Sequence, residues 1–439
     1  MLWIIVLILV LGATLGAFLY LWSRFRRFGI VRKISGDSKW LSRLIGAVPL
    51  ILFGFFSVFD AINTIIVMLH LAIFWLVGDL ISMILRRIFK RGESSAEKIS
   101  ENNAEGAAQT ASAGEILGNN AVTALERNTA ESEIEGASAG GTPDNITKGA
   151  EETAAHGNKT KSSRFRPYWT GIFVLIFTAA YLIYGYLNVN HVRETTYRVE
   201  TEKSIGVPSF RIALIADSHL GTTLDGERFA REMERIQKTS PDILVIAGDF
   251  VDDGTLTEDM VRACEALGEM KTTYGVYYVF GNHDKGYFHS RSFDEQDLRV
   301  ELQKNHVTIL EDEVVEIGDG ILLAGRQDAS EESRKTAAEV LEGQDKQKYI
   351  IMLDHQPNDY GAEEKAGADL VLSGHTHGGQ MIPITFVGEL LGVNDSTYGR
   401  KNRGNSVFIV TSGISDWAIK FKTGTISEYV LIDVTGEEY

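Results

Sequence analysis

The stretch Asp369-Leu-Val-Leu-Ser-Gly-His-Thr-His-Gly-Gly-Gln380 indicates how the C-terminal half of the chain is built. Its apolar run, Leu370 to Leu372, is typical of a buried strand. The run stops at Gly374, and His375 and His377 follow on the turn. Ligand crevices of open α/β sheets form beyond the carboxyl ends of strands, so both imidazoles lie where a metal site is expected. Taken alone, the pair fits two ordinary loop histidines equally well.

The same arrangement, an apolar run followed by groups that bind metals, recurs four times upstream. The groups after the five runs are Asp217 and His219; Asp249 and Asp252; Asn282, His283 and Asp284; Asp354 and His355; and His375 and His377. A strand gains no stability from a carboxylate or an imidazole at its end. Five such endings therefore indicate one shared site.

Apolar runs alternate with polar helical stretches from Pro208 onward, which predicts an α/β domain. The predicted strands are Phe210 to Ala216, Ile243 to Ala247, Val276 to Phe280, Ile321 to Ala324, Tyr349 to Leu353, Leu370 to Leu372, Val407 to Val410 and Tyr429 to Ile432. The predicted helices include Arg228 to Lys238, Thr257 to Met270 and Glu331 to Leu341.

The chemistry of these groups limits the metals they could bind. Carboxylate, amide and imidazole ligands without sulfur suit Mn²⁺, Fe or Zn²⁺. A set of seven of these groups would be too many for one tetrahedral ion and would fit two ions that share a carboxylate. Two ions about 4 Å apart can clamp the attacking and leaving oxygens of a phosphoryl transfer. The single cysteine, Cys264, excludes an intramolecular disulfide framework and a thiolate cluster.

The ordered motifs Asp-x-His, Gly-Asp-x-x-Asp, Gly-Asn-His-Asp, His and Gly-His-x-His resemble the calcineurin-like metallophosphoesterase family over about residues 208 to 434. The downstream Gly-Gly-Gln and the apolar front resemble its membrane-anchored bacterial phosphodiesterase branch. The resemblance implies a four-layer α/β/β/α sandwich, phosphodiesterase activity and two divalent metal ions (Mn, Fe or Zn).

The resemblance also implies a role for each group. Asp217, His219 and His377 would hold one ion, Asn282, His355 and His375 would hold the other, and Asp249 would bridge both. A hydroxide that bridges the ions would be the nucleophile. His283 would be the general acid that protonates the leaving alkoxide, and Asp252 would orient its imidazole. Asp284 is the alternative for that orienting carboxylate.

Two departures from the family bear on the substrate. The arginines and acidic motifs with which protein Ser/Thr phosphatases bind phosphopeptides are not recognisable, which argues against a protein substrate. Lys420 stands where the membrane-anchored branch has an arginine-containing turn, so a point charge would replace a bidentate fork. Arg326 is another potential anion contact, although a surface position is the expectation.

Other polar and aromatic residues have ordinary structural explanations. Gln380 could bind substrate or satisfy its turn, and Tyr398 and Trp417 could line a pocket or pack in the core. Surface positions are predicted for His289 and His306, and turn positions for Asp242 and Asp369.

The front of the chain predicts four membrane spans. Apolar stretches Leu2 to Trp22 and Tyr168 to Leu187 each suit one span, and Leu44 to Leu85 suits two, with a turn near Asp60. Basic clusters lie at one side of every span, which the positive-inside rule assigns to the cytoplasm. The sequence therefore predicts a multi-pass plasma-membrane protein with both termini and the catalytic domain outside the cytoplasm.

Composition divides the chain into four parts. Residues 1–91 contain three spans, and residues 92–163, which are rich in Ala, Gly, Ser, Asn, Glu and Thr, are predicted to be a disordered acidic cytoplasmic loop. Residues 164–207 contain the fourth span and a connector, and residues 208–439 form the catalytic domain.

These features together predict a membrane-bound phosphoesterase that hydrolyses a phosphodiester or pyrophosphate of a lipid or cell-envelope polymer. The predicted partners are the lipid bilayer and that substrate, and the net charge of −16 argues against nucleic acid. The alternatives are a UDP-2,3-diacylglucosamine-type pyrophosphate hydrolase, whose substrate is cytosolic, a non-catalytic metal-bound membrane sensor, and a transporter or channel. The sequence does not indicate an oligomeric state.

Overall fold

A computed structural model describes residues 2–57, 60–89, 168–287 and 290–436. The predicted cytoplasmic loop, residues 92–163, and His289 lie outside the described residues. The chain divides into two compact units. One comprises Met1–Phe18, Pro49–Leu71 and Leu175–Tyr439, and the other comprises Leu19–Val48 and Ala72–Val174.

Among the described residues, four helices are long and apolar enough to cross a membrane, the number that the sequence predicts. They are α1 (Leu2–Phe25), α3 (Lys39–Ser57), α4 (Ala61–Phe89) and α5 (Trp169–Val189). A short helix that the sequence analysis did not predict, α2 (Gly29–Ser35), lies between the first two. Asp60 precedes α4, and its carboxylate accepts a hydrogen bond from the backbone N–H of Asn63 at 3.1 Å, as a helix-capping residue does.

The remainder of the described chain forms two six-stranded sheets with helices. The strands are β1 (Val192–Thr201), β2 (Ser209–Ile215), β3 (Ile243–Ala247), β4 (Val276–Val279), β5 (Val307–Ile309), β6 (Glu313–Ile317), β7 (Ile321–Gly325), β8 (Tyr349–Leu353), β9 (Leu370–Ser373), β10 (Gly399–Arg403), β11 (Ser406–Val410) and β12 (Ser427–Gly436). The helices are α6 (Gly226–Gln237), α7 (Thr257–Gly268), α8 (Glu295–Lys304), α9 (Ala337–Val340), α10 (Tyr360–Ala366) and α11 (Val387–Leu390), and His377–Gly379 forms one 3₁₀ turn.

Each sheet contains a central block of parallel strands. The first sheet has the order β1-β12-β2-β3-β4-β5, and the second has the order β10-β11-β9-β8-β7-β6. Strands β2, β3 and β4 are parallel to one another, and so are β7, β8, β9 and β11. The carboxyl ends of each parallel block therefore lie along one edge of its sheet.

The two sheets pack face to face, with helices on both outer faces. On β2, Ile212 and Leu214 belong to the apolar cluster between the sheets, whereas Ala213 and Ile215 belong to the cluster beneath α6, α7 and α8. Helices α9 and α10 cover the outer face of the second sheet. Because the central strands are buried on both faces, their sequences are apolar at successive positions. This arrangement confirms the predicted α/β/β/α sandwich.

Two predicted segments differ from the structure. The predicted connector contains β1, which pairs in parallel with β12 from Val192↔Ser427 to Thr201↔Gly436, so the sheet begins before residue 208. Most side chains of β1 are exposed or half-buried, which leaves no apolar run for the sequence to show. The prediction of a helix over Glu331 to Leu341 was wrong except at Ala337–Val340, because the backbone N–H of Lys335 donates to Asp312 at 2.9 Å instead of to a helical carbonyl.

The cluster between the sheets generates a stability prediction. Leu372 on β9 is fully buried there, and its replacement by Ala should remove about 2–5 kcal/mol of stability because it leaves a cavity. A loss of that size should lower the melting temperature of the detergent-solubilised full chain by about 5–15 °C. The control is Val300→Ala on α8, where the side chain is 52% exposed, and this variant should melt within about 2 °C of the unmodified chain.

Candidate metal centre

Five strands of the two sheets end at one cluster of polar side chains. Asp217, Asp249 and Asn282 follow β2, β3 and β4 in the first sheet, and His355 and His375 follow β8 and β9 in the second. The structure thus brings together the groups that the sequence places at separate strand ends.

One half of the cluster consists of Asp217, His219 and His377. All three side chains are buried, and each offers a ligand atom within 4.8 Å of the other two. The Asp217 carboxylate accepts a hydrogen bond from the backbone N–H of His375 at 2.9 Å through its Oδ1 atom. That bond leaves the other carboxylate oxygen, Oδ2, available as a ligand atom.

The other half consists of Asp249, His355 and His375, whose ligand atoms also lie within 4.8 Å of one another. The side-chain oxygen of Asn282 lies 3.2 Å from Nε2 of His355 and 2.9 Å from Nδ1 of His375. Nδ1 of His355 lies 2.7 Å from the carbonyl oxygen of Ala247, which fixes the ring and aims Nε2 into the cluster.

Asp249 lies between the two halves. Its Oδ2 atom is 3.5 Å from Nε2 of His219 in one half and 3.2 Å from Nε2 of His355 in the other. This is the position that a bridging carboxylate would require.

Five residues of the cluster have backbone conformations that non-glycine residues rarely adopt. Asp217, His219, Asp249, His375 and His377 have φ angles of 55°, 34°, 53°, 70° and 49°. Non-glycine residues in this left-handed region are strained, and such residues concentrate at functional sites.

His283 borders the cluster and is paired with Asp252. Nδ1 of His283 lies 3.3 Å from one oxygen of Asp252, and the other oxygen of Asp252 lies 3.4 Å from Nδ1 of His219. The backbone N–H of His283 donates to Asp249 at 2.8 Å. The imidazole of His283 is thus oriented by a carboxylate at one nitrogen.

Asp284, the alternative orienting carboxylate, has a different environment. Its fully buried side chain accepts hydrogen bonds at 2.7–3.0 Å from four backbone N–H groups, those of Asp249, Phe250, Val251 and Gly281. Asp284 therefore holds the loops that carry Asp249 and His283, and these contacts favour Asp252 as the residue that orients the His283 ring.

Burial and neighbouring charges shift the pKa values of the cluster. Burial lowers the pKa of His375 to about 4 and that of His377 to about 3, with a positively charged His355 adding to the effect on His375. Both rings are therefore neutral near pH 7 and have a lone pair for a metal. Burial also disfavours the charged forms of Asp249 and His355, but their mutual attraction is stronger, so the pKa of Asp249 falls and that of His355 rises.

Comparisons with known proteins assign the chain to a family. The family model described as calcineurin-like phosphoesterase matches residues 210–379. An uncharacterized metallophosphoesterase of Aquifex aeolicus is 32% identical over 222 residues, which cover 49% of this chain and 79% of the relative. The chain belongs to the calcineurin-like metallophosphoesterase family.

Two further metallophosphoesterase relatives match longer stretches of the chain at lower identity. A transmembrane protein with a metallophosphoesterase domain from Danio rerio is 28% identical over 301 residues, or 64% of each chain. A metallophosphoesterase of Campylobacter jejuni is 28% identical over 269 residues, or 60% of this chain and 69% of the relative. The chain thus spans about two thirds of the length of these two relatives.

The side chains fit the metal ions that are typical of metallophosphoesterases. Oδ2 of Asp217 and Nε2 of His219 are buried, and neither has a hydrogen-bond partner among the described residues. A buried carboxylate oxygen and imidazole nitrogen without a partner are destabilising unless a ligand satisfies them. Divalent cations that accept oxygen and nitrogen ligands would do so, and the donor set does not distinguish Mn²⁺, Fe and Zn²⁺.

Two residues beside His377, Asp416 and Lys422, are not marked by the sequence pattern. Oδ1 of Asp416 lies 3.0 Å from Nδ1 of His377, and burial raises the pKa of Asp416 to about 7. The fully buried Lys422 donates to the carbonyl oxygens of Ser412 and Ser415 at 2.6 and 3.0 Å and lies 3.9 Å from Asp416. Neither residue follows an apolar strand, so the strand-end pattern could not identify them.

Two cationic side chains that the sequence singled out lie in unexpected places. Lys420 is half exposed, and its ammonium group is 3.7 Å from the carboxylate of Asp60. The surface position expected for Arg326 was wrong: the side chain is buried and lies 2.8 and 2.9 Å from Asp354 and Asp359. Its charge is needed inside the domain because Asp354 is buried as well.

Three other residues considered from the sequence, Gln380, Tyr398 and Asp242, make hydrogen bonds that stabilise the fold. Gln380 donates to the carbonyl oxygen of Trp417 at 2.9 Å, and Tyr398 donates to Glu428 at 2.9 Å. Asp242 accepts from the backbone of Arg211 at 2.7 Å. Trp417, by contrast, is 41% exposed, and its ring centroid is 5.2 Å from that of His283, so it borders the centre.

Asp284 provides a test of how the loops are held. In Asp284→Asn an amide N–H₂ group replaces one acceptor oxygen and faces two backbone donors, so two buried N–H groups lose their partner. The variant should lose about 2 kcal/mol or more of stability and most of its bound metal, as measured by thermal melting and elemental analysis. The control is the exposed Asp319→Asn, and metal content equal to the control would contradict the role given to Asp284.

Proposed function

We propose that this metallophosphoesterase hydrolyses a phosphodiester or pyrophosphate of a lipid or cell-envelope polymer, with two divalent metal ions. The observation that carries the proposal is the pair of ligand groups that meet at Asp249, with the His283–Asp252 pair at their border. Asp217, His219 and His377 would hold one ion, and Asn282, His355 and His375 the other. Bound divalent ions would supply polarisation of the phosphoryl oxygens and activation of water.

In addition to the metal ligands, the chain would supply a proton to the leaving group. His283 would donate it to the leaving oxygen, and a general acid of this kind contributes about 10²–10⁴-fold in rate. Burial alone would raise the pKa of Asp252, but its contacts with the His219 and His283 rings, at 3.4 and 3.3 Å, outweigh burial and hold that pKa well below its usual value. Asp252 therefore stays ionised beside Nδ1 of His283.

The apolar helices support a substrate that belongs to the membrane. A domain tethered by membrane helices meets lipid head groups and envelope polymers at high local concentration. We place the catalytic domain outside the cytoplasm of a plasma-membrane protein, because the basic clusters lie at the opposite ends of the spans. This placement disfavours the cytosolic nucleotide substrate of a UDP-2,3-diacylglucosamine-type hydrolase.

His283 can be separated from the metal ligands by the choice of leaving group. His283→Ala should slow hydrolysis of a dialkyl phosphodiester by about 10²–10⁴-fold, because an alkoxide needs a proton to leave. Hydrolysis of an aryl phosphodiester should slow much less, because p-nitrophenolate leaves without one. The metal content of His283→Ala should equal that of the unmodified chain.

The matched variants for this experiment are Asp249→Asn and His306→Asn. Asp249→Asn should lose metal, measured by elemental analysis, together with both activities. His306 is exposed, away from the centre and at a φ of 60° that Asn tolerates, so His306→Asn should retain full activity. Equal losses on both substrates for His283→Ala would contradict its role as the acid.

The orientation of the domain is testable with one introduced cysteine. Cys264, the single cysteine, is fully buried, so labelling of the unmodified chain should be weak. The variant Val300→Cys on α8 should react with a membrane-impermeant maleimide in intact cells, and the reaction in permeabilised cells gives the total. Labelling of this variant only after permeabilisation would place the domain in the cytoplasm and overturn the proposed topology.

A further inference from the structure

An exposed apolar segment follows the metal-ligand turn. Residues 382–393, here called the apolar segment, begin five positions after His377. Their large apolar side chains are 42–84% exposed: Ile382, Ile384, Phe386, Val387, Leu390, Leu391 and Val393. A contiguous exposed apolar surface of this kind is typical of an interaction site in a folded domain.

The one charged residue of the apolar segment is directed back to the domain. Glu389 is the only Asp, Glu, Lys or Arg among residues 382–393. Its carboxylate lies 2.6 Å from the ammonium of Lys401 and accepts a hydrogen bond from the backbone N–H of Thr397 at 3.2 Å. The outward face of the segment is therefore free of formal charge.

Two of the helices that are apolar enough to cross a membrane contact the start of this segment. The hydroxyl of Tyr181 on α5 donates to the carbonyl oxygen of Ile382 at 2.9 Å, and Nε2 of His70 on α4 lies 3.1 Å from the same oxygen. Tyr181 precedes the end of α5 at Val189 by eight residues, and His70 follows the start of α4 at Ala61 by nine. At 1.5 Å per residue, both contacts lie about 12–14 Å from the helix ends nearest the domain.

The loop Trp417 to Lys420, here called the mouth of the metal centre because Trp417 borders His283, contacts α4 closer to its end. Asn63 donates to the carbonyl oxygen of Ala418 at 2.8 Å and accepts from the backbone N–H of Lys420 at 2.8 Å. Asn63 precedes His70 by seven residues, or about 10 Å along the helix. Trp417, which borders His283, is thus held near the helix end, while the apolar segment lies farther along the helix.

We infer that the apolar segment inserts into the bilayer leaflet on the side of the catalytic domain and places the mouth of the metal centre at the lipid surface. Helices that cross a membrane have lipid at that depth, and apolar side chains gain about 25 cal/mol for each Å² that they bury in it. The half-exposed Trp417 at the mouth is a residue that favours the interface between lipid and water. The preferred substrate is then a phosphoester carried on a lipid chain, and this part of the inference rests on the proposed function.

Insertion can be measured without an activity assay. A bimane fluorophore is attached to the introduced thiol of Leu390→Cys in the full chain, which is reconstituted in phosphatidylcholine vesicles with or without bromine on the acyl chains. Quenching by the brominated lipid is expected for this variant and not for the control, Val300→Cys. Equal fluorescence of labelled Leu390→Cys in both kinds of vesicle would overturn the inference. A cross-link between the introduced thiols of two Leu390→Cys chains would assign the surface to a second copy instead.

The substrate preference is tested with two esters that share a reactive centre. Leu390→Asp combined with Leu391→Asp should slow hydrolysis of p-nitrophenyl hexadecyl phosphate in vesicles by about 10-fold or more, because charge opposes insertion. Hydrolysis of water-soluble p-nitrophenyl methyl phosphate should stay within about twofold, as it should for both esters in the control, Val300→Asp.

The two experiments separate failure of the inference from failure of the proposed function. Equal rates of the double variant and the unmodified chain on the hexadecyl ester would overturn the lipid preference. If the unmodified chain hydrolysed neither ester with Mn²⁺, Fe²⁺ or Zn²⁺, the proposed function would fail, and the quenching experiment would still decide whether the segment is inserted.

Discussion

The buried carboxylate of Asp249 is the constraint on which the metal centre depends. It faces His219 after β2 and His355 after β8, and it accepts a hydrogen bond from the backbone N–H of His283 after β4. A buried carboxylate needs such partners to offset its lost hydration. Because those partners come from both sheets, the position of one group fixes the spacing of both ligand groups and of the candidate acid.

The strand ends of the two sheets can converge on this centre because two glycines let the backbone approach neighbouring groups closely. A Cβ atom at Gly281 would lie 2.2 Å from Oδ1 of Asp249, and one at Gly374 would lie 2.6 Å from the Cβ atom of Ala216. The left-handed backbone at Asp217, Asp249 and the neighbouring ligands destabilises the chain locally by about 1–3 kcal/mol at each residue. Packing between the sheets offsets this strain, so the apolar core and the polar centre are parts of one arrangement.

The sequence predicts those features whose physical cause is local. Each of the eight predicted strands is present, because strands buried on both faces are apolar at successive positions. Strand β1 was missed because its partner, β12, lies more than 200 residues away and its own side chains are largely exposed. Asp416 and Lys422 were missed for a related reason, since only the folded loop brings them to His377 and to each other.

Helix α5 is hydrogen-bonded to the segment that supports His377. Asn188 at the end of α5 donates to the carbonyl oxygen of Thr425 at 2.5 Å, and the hydroxyl of Thr425 donates to the carbonyl oxygen of His377 at 3.2 Å. Asn188 donates to the carbonyl oxygen of Lys422 as well, at 3.0 Å. Removal of α5 would leave these buried carbonyl groups without that donor, and an unpaired buried polar group destabilises its surroundings by about 1–3 kcal/mol.

Helix α5 therefore helps to support His377 and is not only a tether. A candidate metal ligand such as His377, whose backbone is strained, needs rigid neighbours, and α5 provides one of them. The apolar front of the chain contributes in this way to the geometry of the candidate metal centre.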